Sequence, residues 1–421
     1  MFPTRDGGSA GQWCSDGNGL GFHVQRCARK ESISFEAAGI PVRKWVYDVG
    51  FTVCLVRQAG PIVHGFLAIA TEAHDDDGLP HTLEHLIFLG SEDYPYKGVL
   101  DTLANRCFAS GTNAWTATDH TCYTASHAGA DGFLTLLPVY LDHILYPTIT
   151  KAGYHTEVHH VTGTGEDAGV VYCEMQAREN TSYSVTDYEL NHLTHPNDGY
   201  KSETGGRMLN LRDSCSHKKV ADYHKDFYRP DGVCLVVVGD VDPEELHQVV
   251  DKFLEKVRAK GPLPPKPRAW TTPAQPIQKS QDKVVLFPSE DESTGIVRFA
   301  WSGFGYGEDD FLKSTALDLL LTYLTDTSVA ELQKEFVECE DPLASGVYPY
   351  VEQWSPSQVT LIFDSVPMEK LQEVKPKLFK LFQGIVDGTS AIDMARMSSV
   401  MKRSKLEILN KVRHFVDNWS P

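Results

Sequence analysis

The chain of 421 residues predicts an α+β fold built from two related layered domains. Three observations predict it: short β-branched runs alternate with helically spaced segments, six prolines fall between residues 262 and 276, and the strand-and-helix pattern restarts beyond them. They divide the chain into an N-terminal extension (1–34), a first domain (35–260), a Pro-rich linker of extended character (261–280) and a second domain (281–421).

In the first domain, residues 42–49, 51–57 and 62–71 read as strands of a meander, with a turn at Ala59-Gly60-Pro61. The acidic loop Asp75-Asp76-Asp77-Gly78 followed by Pro80 is a helix start. A second helix is expected over 97–106, then a turn at Ser110-Gly111 and a strand-like stretch over 112–124. Apolar spacing returns to the helical period over 133–145, and a further helix opens near Asp167 carrying Val170, Val171 and Met175. Residues 233–238 form a buried strand, and Pro243 begins a helix ending near Arg258. Beyond the linker come strands over 283–287 and 295–301, a helix over 310–324, strands within 345–363, and helices to the end. The run Val359 to Phe363 followed by Pro367 and Glu369 echoes Val238 to Glu245, a weak internal repeat.

Composition excludes several functions. With 41% hydrophobic residues the chain buries ordinary cores, and a net charge of -18 leaves no dominant basic surface for nucleic acid. Its apolar runs are far shorter than a membrane span, so no membrane insertion is expected. Nine cysteines without a C-x-x-C spacing read as reduced thiols. No secretory signal opens the chain, and the weakly basic, Gly-rich first thirty residues favour a cytoplasmic location, with a mitochondrial one as the alternative.

The chemistry lies in His81-Thr82-Leu83-Glu84-His85. At about 100° per residue, His81 and His85 share one helix face and can reach one cation, with Glu84 beside them to handle a proton. A catalytic zinc site needs a third protein ligand and an open position. Glu157, Glu166, Asp167, Glu174 and Glu179 all qualify by position. Glu174 is preferred because the apolar Val170-Val171-Tyr172 before it should pack its helix inside the domain. Asp167, two turns earlier on an assumed continuous helix, would orient a ligand. His155 and His159 make a second i, i+4 pair, read as a decoy because no helix start is evident upstream. The glycines from Gly303 to Gly307 lack phosphate-loop spacing, and no G-x-S-x-G elbow supports a serine hydrolase.

With these residues in place, the chain resembles the insulinase (pitrilysin) family of zinc metallopeptidases, in the branch of presequence proteases. Residues 78–91 are similar to the family's zinc helix and its exit, and residues 169–175 to its third-ligand segment. The resemblance implies two related layered domains of the insulinase-like type, the second non-catalytic and incomplete, with one Zn2+ on His81, His85 and Glu174. It makes Glu84 the general base and a peptide or unfolded polypeptide the substrate. Residues 111–116 are similar to the family's substrate strand, which implies that Asn113, Ala114 and Trp115 bind peptide by main-chain pairing. Asp167 stands where related sequences often have Glu. Family members of this branch have two halves, and this chain is similar to the first. The implied partner is therefore a C-terminal half or another subunit, and the alternative function is a non-catalytic peptide-binding module.

Overall fold

The computed structural model describes residues 29–37, 39–305, 307 and 310–413; the sequence reading of residues 1–28 and of the last eight residues lies outside the described residues. The first domain is a seven-stranded sheet in the order β1-β2-β3-β9-β4-β6-β5. Its strands are β1 (Arg29–Ala37), β2 (Ile40–Tyr47), β3 (Thr52–Arg57), β4 (Ile62–Ala70), β5 (Ala109–Thr116), β6 (His120–Ala128) and β9 (Val233–Gly239), with the short pair β7 (His160–Val161) and β8 (Asp167–Ala168) outside the sheet. Strand β1 starts ahead of the expected domain boundary at residue 35. The helices are α1 (Leu79–Ile87), α2 (Val99–Arg106), α3 (Ala130–Leu145), α4 (Lys151–Glu157), α5 (Val170–Arg178), α6 (Ser182–Thr194), α7 (Met208–Asp213), α8 (His217–Phe227) and α9 (Pro243–Ala259).

Alternation sets the sheet's inner face. Val53 and Leu55 of β3, Val63, Leu67 and Ile69 of β4, Tyr123 and Ala125 of β6, and Leu235 and Val237 of β9 point into one core with Leu83, Leu86, Phe133, Leu137 and Leu254 from the helices. The expected meander is interrupted: β9 pairs parallel with β3 and antiparallel with β4, separating them. Its continuous Val-Cys-Leu-Val-Val-Val run is the most apolar strand and takes the centre of the sheet. The stretch read as one strand over 112–124 is a hairpin, β5 and β6, turning at residues 117–119, and Ser110 and Gly111 lie inside β5 at a bulge rather than in a turn. That topology leaves β5 on the sheet edge.

The second domain holds β10 (Thr294–Ser302), α10 (Phe311–Thr325), α11 (Glu331–Phe336), β11 (Gly346–Glu352), β12 (Gln358–Pro367), α12 (Leu371–Val386) and α13 (Met394–Arg413). Its sheet order, β10-β12-β11, reproduces β4-β6-β5 of the first domain, so an internal repeat exists. Its register differs from the sequence echo, since β12 matches β6 and not β9. Residues 283–287 form no strand: Val284 and Leu286 are exposed and Lys283 is drawn to Glu189 of α6. The proline segment has no regular structure but is pinned at Trp270. This ring stacks on Tyr200 at 4.1 Å, Tyr200 stacks on Trp354 of the second domain at 4.4 Å, and Trp270 Nε1 donates to the Thr71 carbonyl. Among the described residues the cysteines form no disulfide, and no helix is long and apolar enough to cross a membrane.

Candidate metal centre

Helix α1 starts at Gly78, which adopts a left-handed conformation (φ 68°) against the backbone of Gly205 and Gly206; a Cβ there would lie 2.6 Å from the Gly205 carbonyl oxygen. Pro80 follows in the first turn. Buried Thr82, Leu83, Leu86 and Ile87 fasten the helix to the core, which leaves His81 and His85 on the remaining face. Helix α5 starts after Gly169 (φ 136°), where a Cβ would meet the Val158 carbonyl at 2.4 Å. Buried Val171, Tyr172 and Met175 then turn Glu174 outward toward α1. These two starts bring the donors together.

His81 Nε2 and His85 Nε2 approach to 3.2 Å, and Glu174 Oε2 lies 3.7 Å from the first and 3.5 Å from the second. Three ligands of a tetrahedral zinc at about 2.0–2.2 Å are separated by about 3.3–3.6 Å, so this triangle has the size of a zinc-binding face. Among the described residues it is the group of His, Cys, Asp and Glu side chains close enough to share an ion. Burial, helped by the neighbouring His85 and opposed by Glu174, pushes His81 down to about 4, which keeps the ring neutral and able to ligate. The carboxylate of Glu174 is half exposed, so the open side of the triangle faces solvent.

Glu84 is buried on the next position of α1 and accepts a hydrogen bond from Thr116 Oγ1 at 2.5 Å. Burial raises its carboxyl to about 7, with the charge of Glu174 adding and the Thr116 bond opposing. A cation held by the triangle beside it favours its charged form. A cavity of about 400 Å³ opens alongside, lined by Glu84, His85, Phe88, Lys97, Asn113 and Ala114 among others.

One sequence assignment needs correction. Asp167 does not ride on α5, because the helix begins three residues later; its carboxylate bonds Arg212 at 2.6 Å and His159 at 2.8 Å, with Tyr172 at 3.3 Å. Those partners are not the ligands it was expected to orient. Asn113, Ala114 and Trp115 all lie on the edge strand β5, where Asn113 Oδ1 accepts from the Ala114 amide at 3.0 Å and Trp115 Nε1 donates to His120 Nε2 at 3.0 Å, its ring packing near Phe66. Of the other carboxylates, Glu179 caps the Met208 amide, while Glu157 is buried beside His85. The His155 segment is helical after all: Thr150 caps α4, accepting from the Gly153 amide, a start signal that sequence reading passed over.

The layered α/β pair thus carries a His-His-Glu triangle on its first domain. Family models match here: Insulinase (Peptidase family M16) over residues 70–187 and Peptidase M16 inactive domain over 214–398. The chain belongs to the insulinase family. It is 44% identical over 363 residues to an uncharacterized protein of Caenorhabditis elegans, covering 86% of this chain and 36% of that one. It is 27% identical over 279 residues to a mitochondrial presequence protease of Xenopus tropicalis, covering 63% of this chain and 26% of that one. A crystal structure of a protease from Helicobacter pylori shares the fold, with a TM-score of 0.73 at 17% identity, over 88% of this chain and 86% of that one. The chain thus spans about a third of the length of the Caenorhabditis elegans protein and of two further curated relatives that it matches.

Proposed function

We propose that the chain carries the catalytic part of a zinc-dependent metalloendopeptidase that hydrolyses peptides and unfolded segments. The observation that supports this most is the triangle of His81, His85 and Glu174 with Glu84 beside it. His81, His85 and Glu174 would hold zinc there, and the bound ion would supply a Lewis acid for water and the scissile carbonyl. Glu84 takes the proton from the attacking water and passes it to the leaving amine. Thr116 holds the Glu84 carboxylate in place for both transfers.

Substrate is held on the edge of β5. An extended peptide that pairs there displaces the Asn113 side chain from the Ala114 amide and runs past the cavity beside His85. Main-chain pairing of this kind reads backbone more than sequence, which suits varied peptide substrates. The names of the presequence proteases among its relatives support peptides as substrates and the mitochondrial alternative for location. The length of the relatives supports a further half, or an oligomeric partner, that completes the substrate chamber.

The test is cleavage of a quenched peptide by the purified full chain. Cleavage that stops with chelator and in Glu84→Gln supports the reading; chelator-insensitive cleavage or an active Gln variant defeats it. Stoichiometric zinc and peptide binding without cleavage would favour the non-catalytic, peptide-binding alternative.

A further inference from the structure

We infer that Glu157 is a positioning residue for the metal ligand His85, held in turn by Lys97. The inference rests on the zinc reading above and takes the place that sequence had given to Asp167. Glu157 ends helix α4 and is 7% exposed. One carboxylate oxygen lies 3.8 Å from His85 Nδ1, and the other accepts from Lys97 Nζ at 2.9 Å. The two nitrogens of His85 are therefore divided between neighbours. Its Nε2 faces His81 and Glu174, and its Nδ1 faces Glu157.

An imidazole that ligates through Nε2 must carry its proton on Nδ1, and a carboxylate on that side fixes both tautomer and ring orientation. At 3.8 Å the pair stands beyond hydrogen-bond length, and the positioning role requires the carboxylate to close on Nδ1 when the metal is bound. A buried carboxylate with no partner would be costly, and Lys97 offsets that cost from the wall of the cavity. Among the described residues His81 has no equivalent carboxylate: its Nδ1 is buried near the Gly205 carbonyl without a well-formed hydrogen bond. The two ligands are thus held unequally, and His85 depends on Glu157.

Zinc affinity by chelator competition and the 15N NMR signals of His85 in the metal-free full chain test this. Glu157→Gln is expected to weaken zinc binding about 10- to 100-fold and to reduce the Nδ1–H tautomer, with the thermal midpoint of the metal-free protein little changed. Lys97→Met, at a largely exposed position, should move both readouts in the same direction by less, and it serves if Glu157→Gln misfolds. Wild-type affinity together with an unchanged Nδ1–H signal in these variants would overturn the inference. A wild-type chain that binds no zinc defeats the metal reading instead, while the tautomer signal still decides the role of Glu157.

Discussion

Gly78 sets the position of α1, which carries the proposed zinc ligands His81 and His85, and replacing it by Ala separates a backbone penalty from a packing one. At φ 68° an Ala pays about 1–2 kcal/mol for the left-handed conformation. Its Cβ would also sit 2.6 Å from the Gly205 oxygen and 2.6 Å from the Gly206 Cα, backbone atoms that cannot swing aside as a flexible side chain does. Overpacking of this kind costs about 1–3 kcal/mol more. Gly98 provides the control. It also begins a helix in the left-handed region, at φ 80°, yet a Cβ there meets nothing within 4 Å. Gly78→Ala should therefore destabilise the full chain by about 2–5 kcal/mol in urea unfolding, and Gly98→Ala by the conformational part alone. The relief route for Gly78→Ala is to push α1 outward, which carries His81 away from Glu174 and weakens zinc binding. Equal costs for the two variants, or wild-type zinc affinity in Gly78→Ala, would refute the reasoning.

Glu84→Gln should keep the Thr116 hydrogen bond and the bound zinc while turnover falls about 10²- to 10⁴-fold, measured by peptide cleavage alongside metal content. Because Glu84 must be ionised to act and a bound cation favours that form, cleavage should fall with decreasing pH along a limb centred below 7, which the pH dependence of the rate reports. Asp77 is buried with bonds to Lys219, Ser214 and Asn210; burial alone would raise its pKa, but these partners hold it below the usual range. Its stabilisation is present above about pH 4 and is lost as pH falls through the lowered folded value, so the deficit of Asp77→Asn, about 1–3 kcal/mol at pH 7, should shrink in acid when followed by urea unfolding. Tyr200→Ala removes the ring between Trp270 and Trp354 at a cost of about 3–5 kcal/mol and should speed proteolysis within residues 261–293; an unchanged cleavage rate would show that the stack does not pin this segment.

Helix α1 was legible in sequence because its signals are local: an acidic loop, Pro80, and histidines one turn apart. Glu174 was legible through the apolar residues that seat α5. What escaped sequence reading depended on distant partners or weak punctuation. The central place of β9 comes from pairing with strands some 170 to 180 residues away, which its own composition does not specify. The β5–β6 hairpin turns at Ala117-Thr118-Asp119 without Gly or Pro, so two strands read as one. Asp167 was misplaced because a helix assumed to run through Gly169 in fact begins after it. Glu157 gave no signal of its own, since its meaning comes from Lys97 and His85, 60 and 72 residues upstream.

Metal analysis of the purified full chain shows whether His81, His85 and Glu174 together hold one zinc. One zinc per chain is expected in the wild type, retained in Glu84→Gln and lost or strongly weakened in His85→Ala and Glu174→Ala. A wild type without zinc, or zinc undiminished when His85 or Glu174 is removed, would contradict it.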